Sequence, residues 1–293
     1  MAVLFSFVCC AVLTPIVIRF APGASSPVKE ELVPVQKEKE GTCALGSAAL
    51  FLSYSLAALI SEDRLCLSLL AVCAPFFLIG IADDILKWRK SSSDGFKSLT
   101  KLCLQLVAAG FAAFMLRGSF PSLSDWIYYP AAILFIAATV NAMNISDGLD
   151  GLAAKLSLPG LVLIAAASVQ LRQSSLIMTA ILAAWLIYNS CRASIFMGDG
   201  GSHFLGAFTA CSVLMSKNTA GALIPFALIY VELLSSLIQI ISIRLFHRKV
   251  FLIAPLHHDL ERRGIREEKI TDTFFSVSVF LSLISAILVF EVI

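Results

Sequence analysis

The chain has 293 residues, of which 58% are hydrophobic and only 14% charged, and its formal net charge is +2. Soluble domains carry about a quarter charged residues, so this composition, with a mean hydropathy of +0.88, excludes an ordinary soluble protein. The apolar runs are continuous and do not alternate with polar residues, which excludes an outer-membrane β-barrel. We therefore predict an all-α, polytopic membrane protein.

Apolar runs of the length that crosses a bilayer as a helix follow one another along the chain. The first reaches a positive charge only at Arg19, so we expect a retained helix and not a cleaved signal peptide. The absence of an internal repeat and of a separable soluble segment predicts one integral-membrane domain over residues 1–293. The roughly ten predicted spans are 2–20, 43–60, 65–82, 99–116, 129–145, 157–171, 174–190, 203–216, 219–245 and 273–292.

Two of the later runs differ from a plain span. The run at 203–216 is short and contains glycine. The run at 219–245 is long and contains Pro225 and Glu232, which favours a kinked, tilted or broken helix.

Lysine and arginine divide the connecting loops into two sets. The loops after even-numbered spans hold only Arg64, Arg117, Arg172 and Lys217. The positive-inside rule therefore places the loops after odd-numbered spans in the cytoplasm and both termini outside. That second set is Arg19, Lys29, Lys37, Lys39, Lys87, Arg89, Lys90, Lys97, Lys101, Lys155, Arg192, Arg244, Arg248, Lys249, Arg262, Arg263, Arg266 and Lys269.

Polar clusters interrupt the apolar pattern at four places, all on the predicted cytoplasmic side. The stretch 141–152, N-A-M-N-I-S-D-G-L-D-G-L, presents a polar group at every third residue, and such groups share one face of a helical or 3₁₀ turn. Polar groups are costly at a bilayer edge, so we predict one active site on the cytoplasmic face. The clusters are Asp83 with Asp84; Asn141, Asn144, Asp147 and Asp150; Asn189 with 196–202, which includes Asp199; and His257 with His258.

The acids of these clusters, Asp83, Asp84, Asp147, Asp150 and Asp199, repel one another unless a cation lies among them. Hard oxygen ligands of this kind suit Mg²⁺ or Mn²⁺. The sequence therefore predicts a divalent metal at the site.

The Gly-Asp-Gly-Gly-Ser run at 198–202 is a candidate anion site. Its backbone N–H groups can turn toward an anion, and Ser202 opens a span whose N-terminus favours phosphate. Lys39, Lys87 and Lys101 lie at the same level. Together these features predict phosphoryl chemistry by positioning and charge neutralisation, although each motif alone also fits a plain helix end, cap or turn.

Four motifs of the chain, taken together, resemble those of a known family. They are F-x-x-I-G-x-x-D-D at 76–84, N-x-x-N-x-x-D-G-x-D-G-L at 141–152, F-M-G-D-x-G-S at 196–202 and P-x-H-H at 255–258. This set resembles the signature of the polyprenyl-phosphate N-acetylhexosamine 1-phosphate transferases, glycosyltransferase family 4. Residues 231–241, 251–261 and 267–270 make the chain most similar to the phospho-N-acetylmuramoyl-pentapeptide transferase family within it.

The resemblance implies transfer of phospho-MurNAc-pentapeptide from its UDP derivative to undecaprenyl phosphate, which gives lipid I and UMP. This is the first membrane step of peptidoglycan synthesis, and it serves cell-wall biogenesis and cell shape. The resemblance also implies a multi-pass protein of the bacterial inner (plasma) membrane with about ten helices and with Mg²⁺ or Mn²⁺ as cofactor. It leaves open whether the protein forms a homodimer. No nucleic acid is expected as a partner.

Carried over by motif, the site residues have distinct implied roles. Asp199 would bind the metal. Asp83 would take the proton of the lipid phosphate or serve the metal, with Asp84 beside it. His257 and His258 would complete the catalytic set on the sugar-diphosphate side. The implied substrate-binding residues are Lys39, Lys87, Lys101, Asn144, Asp147, Asp150, Asn189, Phe196 and Ser202, with Asn189 and Phe196 at the uridine.

The chain departs from the family's motifs at two places. The third of three consecutive histidines is Asp259 here, and C-A-L-G-S at 43–47 replaces P-T-M-G-G. No metal or phosphate residue is lost, so we expect an active enzyme in which Asp259→His leaves turnover intact or raises it.

Three alternative functions stay open at this point. A transferase of the same superfamily would use UDP-GlcNAc or another UDP-HexNAc. A secondary transporter would carry its acids near the membrane midplane, whereas these acids lie at span ends. A non-catalytic relative is supported only by Asp259.

Overall fold

The computed structural model describes residues 1–21, 39, 41–92, 94–120, 122–190 and 192–290. Lys29 and Lys37 of the first predicted cytoplasmic loop lie outside these residues. The described chain is helical, and β-structure in it is limited to a bridge between Cys43 and Ile195. The all-α prediction is confirmed.

The helices alternate with short turns along the described chain. In order they are α1 (Ala2–Phe20), α2 (Ser47–Ile60), α3 (Arg64–Lys90), α4 (Ser98–Leu116), α5 (Asp125–Ser146), α6 (Leu152–Ala167), α7 (Arg172–Asn189), α8 (Gly198–Met215), α9 (Thr219–Leu223), α10 (Ala227–Phe246), α11 (Leu256–Arg262) and α12 (Glu267–Phe290), with 3₁₀ turns at Arg117–Ser119 and Ile224–Phe226.

Six helical segments of the described chain are long and apolar enough to cross a membrane. The chain is therefore a multi-pass membrane protein. The helices α2 and α6 are apolar but shorter, so the prediction of ten spans depends on counting them together with α7 and α8. The six segments are Ala2–Phe20, Arg64–Lys90, Ser98–Ser119, Asp125–Ser146, Thr219–Phe246 and Glu267–Leu288.

The third helix is longer than predicted. The sequence ends this span at residue 82, but α3 continues to Lys90. Asp83, Asp84 and Lys87 therefore lie on the last turns of a helix and not in a loop. A regular helix holds these side chains at fixed angles to one another.

The predicted break in the 219–245 run is confirmed. The helix α9 gives way to the 3₁₀ turn Ile224–Phe226 before α10 begins at Ala227. Pro225 lacks an N–H group and cannot continue an α-helical ladder. The 3₁₀ turn therefore separates α10 from α9.

The helix α8 lies in the middle of the structure, and every residue from Gly200 to Leu214 is buried. Its neighbours approach closely at glycines. A Cβ on Gly80 of α3 would lie 2.2 Å from the carbonyl oxygen of Asp199, and a Cβ on Gly206 of α8 would lie 2.8 Å from the Cα of Val140 in α5. The C-terminal ends of α3 and α5 therefore meet the N-terminus of α8, where the candidate site lies.

Candidate active site

Two acids and two lysines form the centre of the site. Lys87 Nζ lies 2.8 Å from Asp83 Oδ2 and 2.9 Å from Asp199 Oδ2. Lys101 Nζ lies 3.5 Å from the same Asp83 oxygen and 2.5 Å from the same Asp199 oxygen. Asp83, which also accepts the N–H of Phe96, is 1% exposed, whereas the two lysine side chains are 18% and 19% exposed. Both ammonium groups therefore share two carboxylates and stay within reach of a ligand.

Asp84 binds the start of α8. Its Oδ1 accepts the N–H of Asp199 at 3.0 Å, and its Oδ2 accepts the N–H of Gly200 at 2.9 Å. A carboxylate is favoured at a helix N-terminus by the helix dipole and the free N–H groups. The backbone N–H groups of Asp199 and Gly200 do point at an anion, but that anion is the carboxylate of Asp84. The prediction that these groups of the run 198–202 bind a substrate anion is therefore wrong. Asp84 positions Asp199.

Asn144 links α5 to α8. Its Nδ2 donates to Asp199 Oδ1 and to Ser202 Oγ, both at 2.9 Å. Ser202 is fully buried, and its hydroxyl donates to the carbonyl oxygen of Gly198 at 3.0 Å. Ser202 therefore supports Asp199 from within the protein. The sequence had suggested that Ser202 binds the substrate, but its side chain does not line the substrate surface.

Asn141 points away from the acids. Its Nδ2 donates to Gln105 Oε1 at 2.8 Å, and Gln105 Nε2 lies 2.8 Å from His203 Nε2. The helix α5 ends at Ser146, where the chain turns. The four polar positions between 141 and 150 therefore do not share one face, contrary to the prediction from their spacing.

Asp147 is the first residue after α5. Desolvation, followed by the carboxylates of Asp199 and Asp84, raises the pKa of Asp147 well above its ordinary value, and Lys39 lowers it by less. Burial is thus the main cause of the raised pKa of Asp147, and the neighbouring acids add to it.

The second half of the site is an ion triad around Lys39. Its Nζ lies 2.9 Å from Asp150 Oδ1 and 2.7 Å from Glu267 Oε1. Glu267 also accepts the N–H of Asp150, and Asp150 Oδ2 accepts the N–H of Ala193 at 2.8 Å. Burial lowers the pKa of Lys39, but the carboxylates of Glu267 and Asp150 outweigh it and raise the pKa. Lys39 is therefore a fixed positive charge.

Asn189 and Phe196 lie beside this triad. Asn189 is 2% exposed; its Oδ1 accepts the N–H of Gly151 at 3.1 Å, and its Nδ2 donates to the carbonyl oxygen of Ile195 at 2.7 Å. Phe196 is half-buried, and Lys39 Nζ lies 5.9 Å from its ring centroid. Asn189 therefore holds the turn in place, while the Phe196 ring borders the triad.

The two predicted histidines lie at the start of α11 and meet the turn that follows α5. A Cβ on Gly148 would lie 2.3 Å from His257 Nε2 and 3.1 Å from His258 Nε2, so only glycine fits there. His258 Nδ1 lies 3.1 Å from Glu261 Oε2. Burial lowers the pKa of His258 to about 4, against a rise from Glu261. His258 is therefore neutral near pH 7.

Asp259 turns away from the histidines and the turn. It is 3% exposed; its Oδ1 accepts the N–H of Leu252 at 2.7 Å, and its Oδ2 accepts Nε–H of Arg263 at 2.6 Å. Burial raises the pKa of Asp259, but the hydrogen bonds from Arg263 and Leu252 outweigh it, so the pKa is lowered. Asp259 is thus part of the structure of α11.

The donor chemistry of the site fits a hard divalent cation. Among the described residues no group of three or more His, Cys, Asp or Glu side chains is arranged to hold a metal. Mg²⁺, however, is commonly held by one or two carboxylates, with waters and substrate phosphates filling its other positions. Asp199, whose side chain is 14% exposed, offers a carboxylate of this kind at the site.

Two acids that the sequence did not place at the site belong to it. Glu267 completes the triad with Lys39, and Glu232 of α10 contacts His257. Glu267 opens α12, where an acid is ordinary because of the helix dipole, so the run 267–270 indicated the family but not a place in the site. Glu232 did give one, since an acid inside an apolar span is rare.

Comparison with known proteins identifies relatives over most of the chain. The family model of glycosyl transferase family 4 matches residues 66–217. The phospho-N-acetylmuramoyl-pentapeptide-transferase of Thermotoga maritima is 34% identical over 270 residues, which cover 88% of each chain. The proteins of the same name from Clostridium acetobutylicum and Halalkalibacterium halodurans are 31% and 30% identical and cover 96% and 97% of this chain and 95% of their own.

Proposed function

The chain belongs to glycosyl transferase family 4 and, within it, to the phospho-N-acetylmuramoyl-pentapeptide-transferases, and from this we propose that it transfers phospho-MurNAc-pentapeptide from UDP-MurNAc-pentapeptide to undecaprenyl phosphate. An oxygen of the lipid phosphate forms a bond to the β-phosphorus of the donor, the bond from that phosphorus to UMP breaks, and lipid I and UMP result. One observation carries the proposal. Motifs far apart in sequence meet at the end of α5 and the turn that follows it, which contact Asp199 through Asn144, Lys39 through Asp150 and the histidines through Gly148.

Lys87 and Lys101 are the proposed phosphate-binding groups. Each already bridges Asp83 and Asp199 and keeps part of its surface open. Positive groups fixed in place before the reaction stabilise the negative charge that gathers during phosphoryl transfer. The acids hold the two ammonium groups in position until a phosphate takes over part of their charge.

Asp83 acts mainly as the counter-ion that fixes these lysines. It accepts both ammonium groups through Oδ2 and the N–H of Phe96 through Oδ1. These contacts occupy both oxygens of the Asp83 carboxylate. The alternative role of Asp83 is to remove the proton of the lipid phosphate. The two roles predict different pH profiles for a variant that lacks the Asp83 carboxylate.

Asp199 is the proposed metal ligand, with Asp147 next to it. A bound Mg²⁺ would neutralise phosphate charge at this point. Asp84 and Asn144 hold the Asp199 carboxylate from the backbone side and from Oδ1, so their contribution is to fix its direction.

The uridine end of the donor is proposed to lie at Phe196 and Lys39. The Phe196 ring is half-buried and has one flank at Lys39, and a flat aromatic surface of this kind binds a base by stacking. Asn189 shapes this region through Gly151 and Ile195. His258, neutral near pH 7, is proposed to line the sugar-diphosphate side of the donor.

The proposed site faces the cytoplasm, with both termini on the other side. The support is the distribution of lysine and arginine and the cytosolic origin expected of a UDP-activated donor. We further propose that the chain works as one integral-membrane domain.

The direct test is UMP release by purified protein given undecaprenyl phosphate, Mg²⁺ and a panel of UDP-sugars. UDP-MurNAc-pentapeptide should be the best donor, and omission of the lipid phosphate should abolish release. Asp259 lies outside the site, so the third histidine of the family's motif has no counterpart there. For that reason UDP-GlcNAc belongs in the panel, and a preference for it would favour the related sugar-1-phosphate transferase. No UMP from any donor would contradict the proposal.

A further inference from the structure

The apolar helix α10 carries a buried polar stripe. Glu232, Ser235 and Gln239 are three and four residues apart and therefore lie on one face. They are 0%, 4% and 6% exposed. An ionisable residue within a membrane-spanning helix is costly and is usually retained for function. None of the three residues takes part in the proposed transfer reaction as described so far.

The stripe binds the segment that leads into α11. Gln239 Oε1 accepts the N–H groups of Val250 and Phe251, both at 3.0 Å. Ser235 Oγ accepts the N–H of Leu256 at 3.0 Å. Since backbone donors are satisfied one after another along α10, the path of the segment up to the histidines is fixed.

Glu232, at the end of the stripe nearest the site, binds the imidazole itself. Its Oε2 lies 3.0 Å from His257 Nδ1 and also accepts the backbone N–H of His257 at 3.4 Å. Both side chains are 0% exposed. An ionised carboxylate only accepts, so this contact favours the tautomer of His257 that carries its proton on Nδ1 and its lone pair on Nε2.

That lone pair is directed at the site. His257 Nε2 is buried and has no hydrogen-bond partner in the described chain. A Cβ on Gly148 would lie 2.3 Å from it, so Nε2 faces the turn that carries Asp147 and Asp150. A buried acceptor without a partner is costly, which is consistent with an atom reserved for a bound substrate.

We propose that Glu232 is a positioning residue for the transfer reaction: it selects the Nδ1–H tautomer of His257 and thereby presents Nε2 as an acceptor to a donor group of the bound UDP-sugar. The inference rests on the function proposed above. Ser235 and Gln239 hold the backbone of the same segment, whereas Glu232 determines which ring nitrogen is free.

The kinetic test uses two matched substitutions. Glu232→Gln keeps the side-chain shape, but its amide also donates and can therefore bind the other tautomer. His257→Asn keeps an N–H donor near the Nδ1 position and removes Nε2. Each should lower kcat/KM by about 10-fold to 100-fold, as for partners that orient a functional histidine. The double variant should have a kcat/KM less than about twofold below that of His257→Asn alone, because Glu232 and His257 act as one unit.

Two controls separate positioning from stability. Ser235→Ala loosens the same segment without touching the imidazole, so it should lower the melting temperature more than it lowers kcat/KM. Glu62→Gln changes an exposed acid outside the site and should leave both unchanged. The proposal would be overturned if the losses of kcat/KM in Glu232→Gln and His257→Asn multiplied in the double variant. It would also be overturned if Glu232→Gln kept the wild-type kcat/KM.

A second measurement does not depend on activity. Nitrogen-15 NMR of histidine-labelled protein in detergent distinguishes the two neutral tautomers, and the His257 signal is identified by its loss in His257→Asn. The wild type should show the Nδ1–H form, and Glu232→Gln should shift it toward Nε2–H. An Nε2–H wild type would overturn the role of Glu232 even in an active transferase. The expected shift in a protein that releases no UMP would instead contradict the proposed function alone.

Discussion

Asp84 binds the backbone of Asp199, the residue whose own side chain lies at the centre of the site: its carboxylate accepts the Asp199 N–H at 3.0 Å and the N–H of Gly200 at 2.9 Å. The two neighbouring acids of α3 therefore divide their work. Asp83 faces the lysines, and Asp84 faces α8. The position of the proposed metal ligand depends on a helix cap supplied by another helix.

This relationship predicts the effect of Asp84→Asn. An amide oxygen can accept from one N–H, but the NH₂ group cannot accept from the other, so the start of α8 loosens by about 1 kcal/mol. The Asp199 carboxylate then moves, and turnover should fall by about 10-fold to 100-fold, because small displacements of reacting groups are costly. UMP release and thermal unfolding in detergent measure the two effects.

Asp63 offers a matched control, since it caps α3 by accepting the N–H of Leu65 at 2.9 Å. Asp63→Asn should cost similar stability and leave turnover near wild type. Equal losses of turnover in the two variants would mean that Asp84 acts through general stability and not through Asp199.

Removing the charge of Asp199 or Asp83 should affect turnover more directly. Asp199→Asn removes the negative charge of the proposed metal ligand and of a partner of both lysines, so turnover should fall by about 100-fold or more. Asp83→Asn should also reduce it sharply. Asp272→Asn, at an acid whose side chain is 70% exposed, is the control. Wild-type UMP release from both site variants would contradict the proposed site.

The pH profile of Asp83→Asn separates its two roles. If Asp83 is a base, the loss should shrink as pH rises, since the lipid phosphate then loses its second proton unaided (pKa about 6 for a phosphate monoester). If Asp83 holds Lys87 and Lys101, the loss should stay constant across that range. We expect the constant loss, because Asp83 accepts from three donors.

Chelation tests the metal. Since Asp199 is the proposed ligand of a divalent cation that neutralises phosphate charge, UMP release should stop in excess EDTA and return with added Mg²⁺ or Mn²⁺. Asp199→Asn should not recover at any Mg²⁺ concentration. Full activity after complete chelation would contradict a divalent cofactor.

The helices and the presence of a site could be read from the sequence, but the partners of its residues could not. Hydropathy and Pro225 were sufficient for the fold and for the break before α10, because these depend on local chemistry. Ser202 was expected to bind a substrate and Asn141 to share a face with the acids, yet both bind other groups of the protein. Which acceptor a buried amide or hydroxyl finds depends on the helix packed against it, and spacing within one helix holds no information about that.

Asp259→His is a case in which the structure reverses the expectation from sequence. Its carboxylate accepts from Arg263 and from the N–H of Leu252, and a neutral histidine has only one acceptor and no negative charge. The substitution should therefore lower the melting temperature and leave turnover equal or lower, not higher. Because the pKa of Asp259 is lowered in the folded protein, its stabilisation is present above the ordinary aspartate pKa and is lost as pH falls below it. A gain of turnover in Asp259→His would show that a third histidine can reach the site.

The cytoplasmic position of the site is testable by cysteine labelling, and the structure decides where the cysteine goes. Gly95 lies in the predicted cytoplasmic loop, but a Cβ there would lie 2.2 Å from Asp83 Oδ1, so Gly95→Cys would damage the site. Its neighbour Asp94 is exposed. With the exposed Cys103 replaced by serine, Asp94→Cys should resist an impermeant thiol reagent in spheroplasts and react after lysis. Ser122→Cys, in an exposed turn on the other predicted side, should react before lysis. Labelling in the opposite order would invert the topology and separate the site from a cytosolic UDP-sugar.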